Sequence, residues 1–202
     1  MKRNTALICI LVCVSLLLCG CNKPKDRLTA PAGFSVASSD VLDYYFFYPS
    51  TVWLLSESGG YLGVVKAAYN ADQSSFTVNS WTENALISAK DFWEGLETEK
   101  SSSDVSENEE EYGGYEKVLS ETVSDYKVVN AEVVTVAEHD AYDVVYTCTI
   151  AGMQFKIRQV TVAVKTGVKT DIYELTYTST PEFYDDNIDA VNEMIGYFGI
   201  SK

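Results

Sequence analysis

The amino-acid sequence predicts an α+β fold in which helices pack on an antiparallel β-sheet. Two patterns lead to this prediction. Four segments rich in Val, Thr, Tyr and Ile follow one another with tight turns between them, namely Tyr126 to Ala137, Ala141 to Ile150, Met153 to Val164 and Asp171 to Ser179. An amphipathic helix follows, and its apolar stripe is formed by Tyr184, Ile188, Val191, Ile195 and Phe198. A meander of strands followed by such a helix is typical of this class.

Turn residues and side-chain alternation support the meander. The predicted turns are Glu138-His139-Asp140, Ala151-Gly152 and Thr166-Gly167. In the second strand, alternate residues share one face of the sheet, namely Tyr142, Val144, Tyr146, Cys148 and Ile150. Cys148 is therefore expected to be a buried structural thiol, with a nucleophile or metal ligand as the alternative.

The first half of the chain is predicted to contain further strands and a short helix. Strands are expected at Phe34 to Val36, Tyr44 to Tyr48, Trp53 to Leu55, Tyr61 to Tyr69 and Ser75 to Trp81. We interpret the segment at Trp53 as a continuation of the aromatic strand that Pro49 stops. Ser88 followed by Asp91 predicts the start of a helix. One face of that helix is expected to carry Phe92, Trp93 and Leu96.

The start of the last helix also has a cap signature. Ser179 and Glu182 have the spacing of a capping box, in which two side chains satisfy backbone N–H groups of the first turn. Pro181 suits the first turn, because its missing N–H would have no partner there. The sequence thus predicts that the helix begins directly after the last strand.

Residues 1–20 have the pattern of a lipoprotein signal peptide. Two cations precede an apolar run from Ala6 to Leu18, which is too short to span a bilayer core of about 30 Å. Leu18-Cys19-Gly20-Cys21 then fits a bacterial lipobox with Cys21 as the lipid acceptor. The alternatives are an ordinary signal peptide or acylation at Cys19. We expect a covalent diacylglycerol and palmitate anchor on Cys21, which would hold the protein on the extracytoplasmic face of the cell membrane.

The remaining chain is predicted to form a tether and one domain. Residues 21–32 contain three cations and two prolines, and we interpret them as a flexible tether. Its cations suit an anionic lipid surface next to the anchor. Residues 33–202 are long enough for a single domain with a sizeable core.

The charge of the mature chain excludes one class of partner. The full chain has a formal net charge of −14, and loss of Lys2 and Arg3 with the leader leaves 13 of the 15 cations against 29 acids, or −16. Nucleic-acid binding depends on neutralising phosphates, so nucleic acid is not an expected partner. The acidic domain is also expected to stay away from an anionic membrane surface.

Cysteine usage excludes an internal disulfide in the mature chain. Cys9, Cys13 and Cys19 belong to the leader and Cys21 carries the lipid, which leaves Cys148. One thiol cannot pair within the chain. No disulfide partner is expected, and the domain must be stabilised by its core.

Residues 101–114 are predicted to form a mobile acidic loop. The segment has one aliphatic residue, a Gly-Gly pair and the acids Asp104, Glu107, Glu109, Glu110 and Glu111. It cannot bury enough apolar surface to offset its ordering entropy. These carboxylates are candidate Ca²⁺ ligands, although the spacing lacks the alternation and central glycine of a calcium loop. A solvated charge run is the favoured interpretation.

No catalytic constellation is visible in the sequence. His139 is the single histidine, and we expect it in a solvated hairpin turn rather than in a Ser-His-Asp triad. The aromatic segment Tyr44 to Tyr48, with Trp53 and Trp81, suits core packing, and a sugar-stacking platform is the alternative. We find no phosphate loop and no HExxH or GxSxG motif. The protein is therefore not expected to be an enzyme or to need a cofactor.

Two stretches resemble PsbP-like domains. The segment Tyr44-Tyr45-Phe46-Phe47-Tyr48-Pro49-Ser50-Thr51-Val52-Trp53 is similar to the aromatic strand, proline and tryptophan that open these domains. The segment from Tyr173 to Phe198 is similar to their last strand, Thr-Pro-Glu-type cap and closing helix. The resemblance covers most of Phe34 to Phe198 and implies the α/β/α sandwich of PsbP and Mog1 proteins.

The resemblance also implies a class of function. Family members are extrinsic photosystem II subunits, a Ran-binding factor and bacterial lipoproteins of unknown role. No common catalytic residue carries over to this chain. A photosynthetic role is not implied, because the leader is a lipobox type, whereas calcium binding in the photosynthetic branch slightly favours the Ca²⁺ alternative.

These observations lead to two functional hypotheses. The first is a non-enzymatic lipoprotein that binds a partner protein or assists assembly of an envelope complex. Asp189 and Glu193, on the polar face of the last helix, are candidates for the partner surface. The second is a lipoprotein that binds a small ligand or Ca²⁺ through the acidic loop or the sheet aromatics.

Overall fold

The computed structural model describes residues 28–58, 61–67, 72–95 and 114–201. Its larger sheet has seven antiparallel strands in the order β3-β4-β5-β9-β8-β7-β6. Their bounds are Trp53–Ser58 (β3), Tyr61–Lys66 (β4), Ser75–Glu83 (β5), Ser124–Val136 (β6), His139–Ile150 (β7), Met153–Thr166 (β8) and Lys169–Ser179 (β9). Strands β6 to β9 are the predicted meander, and each pairs with the next along the chain.

A smaller sheet joins the two ends of the domain. Its strands are Phe34–Ser38 (β1), Tyr44–Pro49 (β2) and Gly199–Ile200 (β10), with β2 in the centre. The three described helices are Ala89–Glu94 (α1), Gly114–Thr122 (α2) and Pro181–Gly196 (α3). Helix α3 lies on one face of the larger sheet, and α1 and α2 lie on the other. The α+β class and the helix-sheet-helix sandwich are therefore confirmed.

The core beneath α3 is built from alternating strand residues and the helix stripe. Tyr173, Leu175 and Tyr177 of β9 are fully buried against Val191 and Met194 of α3. Tyr44, Phe46 and Tyr48 of β2 complete this core. Burying these large side chains supplies much of the hydrophobic stabilisation, at about 25 cal/mol per Å² of apolar surface.

The core beneath α1 and α2 uses the opposite face of the same strands. Ile87, Phe92 and Trp93 pack there on four alternate residues of β7, namely Tyr142, Val144, Tyr146 and Cys148. The face predicted for β7 is therefore buried, except that Ile150 is exposed at the end of the strand. Cys148 is 2% exposed, and burial raises the pKa of its thiol, as expected for a structural cysteine.

The predicted cap of α3 is wrong in one respect. The N-cap residue is Thr180, which makes no side-chain cap hydrogen bond, and Pro181 occupies the first turn. Ser179 is fully buried as the last residue of β9. Its hydroxyl lies within hydrogen-bond distance of the Thr180 carbonyl oxygen (3.1 Å) and of Ser74 Oγ (2.8 Å). A tertiary partner therefore occupies the hydroxyl that a capping box would use.

Two other local predictions need correction. Trp53 does not continue the aromatic strand, because β3 belongs to the larger sheet and pairs with β4. His139 is the first residue of β7 and pairs with Val136, so the turn consists of Ala137 and Glu138. Both turn residues have positive φ, at 49° and 66°, as a two-residue type I′ turn requires.

Helix α2 was not predicted, and its first residue was assigned to the acidic loop. Gly114 begins α2 with φ of +60°. A Cβ at this position would overlap the backbone of Glu94 and Gly95, so glycine is required for the close approach of α2 to the end of α1. The rest of the predicted loop, residues 101–113, lies outside the described residues, as do the predicted leader and residues 21–27 of the predicted tether. Within the described ranges, no helix is long and apolar enough to cross a membrane.

Candidate binding surface

An open groove of about 280 Å³ runs between α3 and the strands β6 to β8. Its walls are the end of β6, at Val134 to Ala137, and the last two turns of α3, at Asn192, Ile195 and Gly196. Its floor contains Asp143, Arg158 and Val160. The groove forms because α3 packs on the centre of the sheet, while the outermost strand reaches the core beneath it only through Val134 and Val136.

The floor of the groove contains an ion pair. Arg158 Nε donates to both oxygens of Asp143 at 3.0 Å, and Arg158 Nη2 donates to Asp143 Oδ2 at 2.6 Å. Arg158 Nη1 also donates to Asn192 Oδ1 on α3. Burial acts to lower the pKa of Arg158, but the hydrogen-bonded Asp143 carboxylate outweighs it and holds that pKa above its ordinary value. Both side chains are thus charged, and their opposite charges cancel within the pair.

Acidic side chains border the groove. Asp189 and Glu193 are exposed on α3. Asn192 follows Asp189 by three residues and Gly196 follows Glu193 by three, so each acid is a surface neighbour of a groove residue. Across the groove, Glu132 of β6 is exposed and lies opposite Asp143 of β7. Because the floor is neutral, these rim acids give the surface a negative character.

The other face of the sheet has a buried polar cluster around Glu174 of β9. Glu174 is 8% exposed, and burial raises the pKa of its carboxyl to about 7, although Thr176, Gln159 and Tyr115 act against the rise. Tyr146 Oη donates to Gln159 Oε1 at 3.2 Å. Among the described residues, Gln159 Nε2 and Thr161 Oγ1 are buried without a hydrogen bond of good geometry. No sequence signal distinguishes Glu174 from an ordinary strand glutamate.

A second buried network links the Asp72 segment to α3. Asp72 Oδ1 accepts from the Ser74 amide at 3.0 Å and from Ser74 Oγ at 2.5 Å. Asn187 Nδ2 donates to Asp72 Oδ2 at 2.9 Å and to Ser74 Oγ at 3.1 Å. Each buried polar group therefore has a partner, and the network fixes α3 on the sheet. It has the character of a structural cluster rather than an exposed site.

The aromatic residues for which a sugar-stacking platform was the alternative are mostly buried in the core. Tyr44, Phe46, Tyr48 and Trp53 are buried, and Tyr44 Oη donates to the Val78 carbonyl at 2.6 Å. Trp81 is partly exposed and donates from Nε1 to Glu83 at 2.8 Å. Four of these rings therefore have no face free for a sugar, which favours the core-packing interpretation.

The candidate Ca²⁺ ligands and the candidate lipid acceptor belong to segments outside the described part of the chain. Asp104, Glu107, Glu109, Glu110, Glu111 and Cys21 lie outside the described residues. Within the described ranges, no group of three or more His, Cys, Asp or Glu side chains could hold a metal ion. His139 is half-buried at the start of β7.

Comparisons with known proteins identify the fold. No protein-family model matches the chain. No curated protein matches it either. Similar solved structures include cyanobacterial PsbP from Synechocystis sp. PCC 6803, with a TM-score of 0.50 and 12% identity over 85% of this chain and 95% of that one.

Two further solved structures are similar over most of their length. LpqN, which is involved in cell envelope biogenesis of Mycobacterium tuberculosis, has a TM-score of 0.46 and 9% identity over 86% of this chain and 82% of that one. The Ran-binding protein Mog1p of Saccharomyces cerevisiae has a TM-score of 0.47 and 7% identity over 84% of this chain and 96% of that one. The likeness to cyanobacterial PsbP, together with the observed helix-sheet-helix architecture, shows that the chain has a Mog1/PsbP-like α+β fold, as the aromatic strand and closing helix of its sequence had suggested.

Proposed function

We propose that this protein is an extracytoplasmic, membrane-anchored lipoprotein that binds a partner protein of an envelope complex and catalyses no reaction. The groove between α3 and β6, bordered by Asp189 and Glu193, is the observation that supports this proposal. It combines a largely polar lining, an ion pair on its floor and an acidic rim on one exposed face.

The shape of the groove favours a macromolecular partner over a small molecule. Small-ligand pockets usually enclose about 300–1,000 Å³ and bury most of the ligand. This groove is smaller and open, with a volume of about 280 Å³. Its charged groups, Asp143 and Arg158, already form hydrogen bonds with each other. They therefore stiffen the floor of the groove and are not free to bind a small ligand.

The leader and tether support the proposed location. An acyl anchor on Cys21 with the cationic tether would place the acidic domain beside the membrane but not on it. A partner protein could then reach the groove without competition from lipid. In this arrangement the anchor raises the local concentration of the domain near other envelope proteins.

Site-specific photocrosslinking tests the proposal. A photoreactive benzophenone amino acid in place of Gly196 would lie at the groove, where an added Cβ meets no atom within 4 Å. We expect one predominant crosslinked protein from native membranes. Asp189→Lys combined with Glu193→Lys should weaken that crosslink at least tenfold.

A matched control uses the same helix. Asp186 is also exposed on α3, but it precedes Gly196 by ten residues and so lies about 15 Å away along the helix axis. Asp186→Lys should leave the crosslink unchanged. The absence of any predominant adduct, or equal losses in the control and the double variant, would reject partner binding at this surface.

A second candidate function is the binding of a small polar ligand. The cluster of Glu174, Gln159 and Thr161 favours it, because Gln159 Nε2 and Thr161 Oγ1 are buried without a hydrogen bond of good geometry, which is rare for buried polar atoms. A ligand at this cluster, on the opposite face of the sheet, would leave the crosslink at position 196 unchanged.

A further inference from the structure

Strand β6 forms one edge of the seven-stranded sheet. Within the described ranges it pairs with β7 on one side and with no strand on the other. The type I′ turn makes Val136 and His139 the hydrogen-bonded pair next to the turn. Hydrogen-bonded and non-hydrogen-bonded pairs alternate along two antiparallel strands. The N–H and C=O groups of Ala131, Val133 and Thr135 must therefore point outward from the sheet.

The outward edge is regular where it borders the groove. The pairing of β6 with β7 is interrupted between Ser124 and Lys127 and between Val128 and Asn130, but it is continuous from Asn130 to Val136. Irregularities, lysine and proline normally protect a free edge from unwanted pairing. Residues 130–136 contain neither proline nor lysine, and the side chain of Val133 is 61% exposed. This edge therefore has the backbone and side chains that strand pairing requires.

The charges around this edge select the partner. From Asn130 to Asp140 the chain has three acids and no lysine or arginine. After the bulge, even-numbered residues of β6 face α3, as the packing of Val134 and Val136 shows. Glu132 therefore faces the groove, whose far rim has Asp189 and Glu193.

We propose that residues 130–136 of β6 pair with an extended, basic segment of the partner protein, which adds an eighth strand to the sheet. This inference rests on the proposed function and names the chemistry of the partner. Main-chain hydrogen bonds to Ala131, Val133 and Thr135 supply affinity, and alternate side chains supply specificity. Lysine or arginine side chains on the α3 side of the added strand lie next to Glu132, within the negative field of this face. A second copy of this chain is disfavoured because both copies would bring acidic rims together.

A synthetic peptide tests the edge directly. The probe is an acetylated, amidated peptide of seven alternating lysines and valines, added to the soluble domain and followed by amide hydrogen exchange with NMR. We expect the amides of Ala131, Val133 and Thr135 to exchange at least tenfold more slowly with peptide bound. An alternating glutamate and valine peptide should give no protection, nor should an N-methylated lysine and valine peptide that cannot pair as a strand.

Variants at Val133 provide a matched pair. Val133→Pro removes an outward N–H and no ladder hydrogen bond, which an edge strand tolerates, whereas Val133→Thr keeps the N–H. Proline should abolish the protection and threonine should retain it. If the proline variant does not fold, the N-methylated peptide makes the same test on the parent protein.

Protection of amides elsewhere in the protein, or equal protection by both charged peptides, would overturn the proposal. Concentration-dependent protection of the edge without peptide would also overturn it, in favour of self-pairing.

The two proposals fail separately. If the crosslink at position 196 is normal in Val133→Pro, partner binding stands and edge pairing is rejected. If the parent protein gives no crosslink but the basic peptide protects the edge, the strand site stands and the proposed function is rejected.

Discussion

At the scale of single residues, the buried carboxyl of Glu174 leads to a prediction about how the stability of the protein depends on pH. Its pKa is raised from 4.5 to about 7 by burial, so between these values the folded protein binds a proton that the unfolded chain has lost. The contribution of Glu174 to stability is therefore full below about pH 4.5 and is lost as the pH rises to about 7. By linkage, the loss amounts to about 3 kcal/mol.

Glu174→Gln isolates this effect, because glutamine has a similar shape and no charge. We expect the variant to be more stable than the parent at pH 8, by up to about 3 kcal/mol, and nearly equal to it at pH 5. Urea unfolding at the two pH values measures both differences. An identical difference at both would show that the Glu174 carboxyl does not titrate as proposed.

Residue-scale features of this kind were the hardest to predict from the sequence. Ser179 and Glu182 have capping-box spacing, but the spacing does not reveal that Ser74 bonds the Ser179 hydroxyl. Asn187 interrupts the apolar stripe of α3 and is nevertheless 3% exposed, because Asp72 and Ser74 accept its hydrogen bonds. Such pairings join residues far apart in the chain, and no local pattern encodes them.

At the scale of elements, periodicity was a reliable guide. The meander β6 to β9 and the stripe of α3 were predicted because long amphipathic segments repeat every two or about 3.6 residues. Helix α2 was missed, since it starts at a Gly-Gly pair that favours a turn and is mostly polar. The sequence also did not predict the groove, although it identified Asp189 and Glu193, on the groove rim, as candidates for a partner surface.

Helix α3 provides the element-scale prediction. Val191→Ala and Ile195→Ala should each lower the free energy of unfolding by about 1.5–5 kcal/mol, because each leaves a cavity in the core beneath the helix. Both side chains are less than 10% exposed. Chemical denaturation at neutral pH measures the loss.

The exposed acids of α3 are the control for that series. Asp189→Ala and Glu193→Ala should change stability by less than about 0.5 kcal/mol. If either cost as much as Val191→Ala, the helix would not present these residues to solvent, and the proposed groove rim would be wrong.

At the scale of the whole molecule, the proposed anchor determines where the protein acts. Cys21→Ala should move the protein from the membrane fraction to the periplasm or medium, because no acyl chain remains to hold it. It should also abolish labelling by an alkyne fatty acid. Cys148→Ala is a suitable control, since this buried thiol should not affect either result. Unchanged membrane fractionation of Cys21→Ala would reject the anchor.

The acidic segment between α1 and α2 is predicted from its composition to be dispensable for folding. Replacing residues 101–113 with a short Gly/Ser linker, while keeping Gly114, should change the melting temperature by only a few degrees, because loop length has a small entropic cost. A large loss of stability would show that the segment is part of the core. If its carboxylates bind Ca²⁺, added Ca²⁺ would raise the melting temperature of the parent and not of the replacement.

The small sheet has a mechanical consequence for an anchored protein. Tension on the tether would enter the domain at β1, whose five residues pair with β2 from Phe34–Pro49 to Ser38–Tyr45. Strand β2 is held on its other side by β10, directly after the end of α3. A pull from the membrane would thus load β1 against β2 before it reached the larger sheet and the groove. Force spectroscopy should then detect early release of β1, while the surface proposed for partner binding remains folded under load.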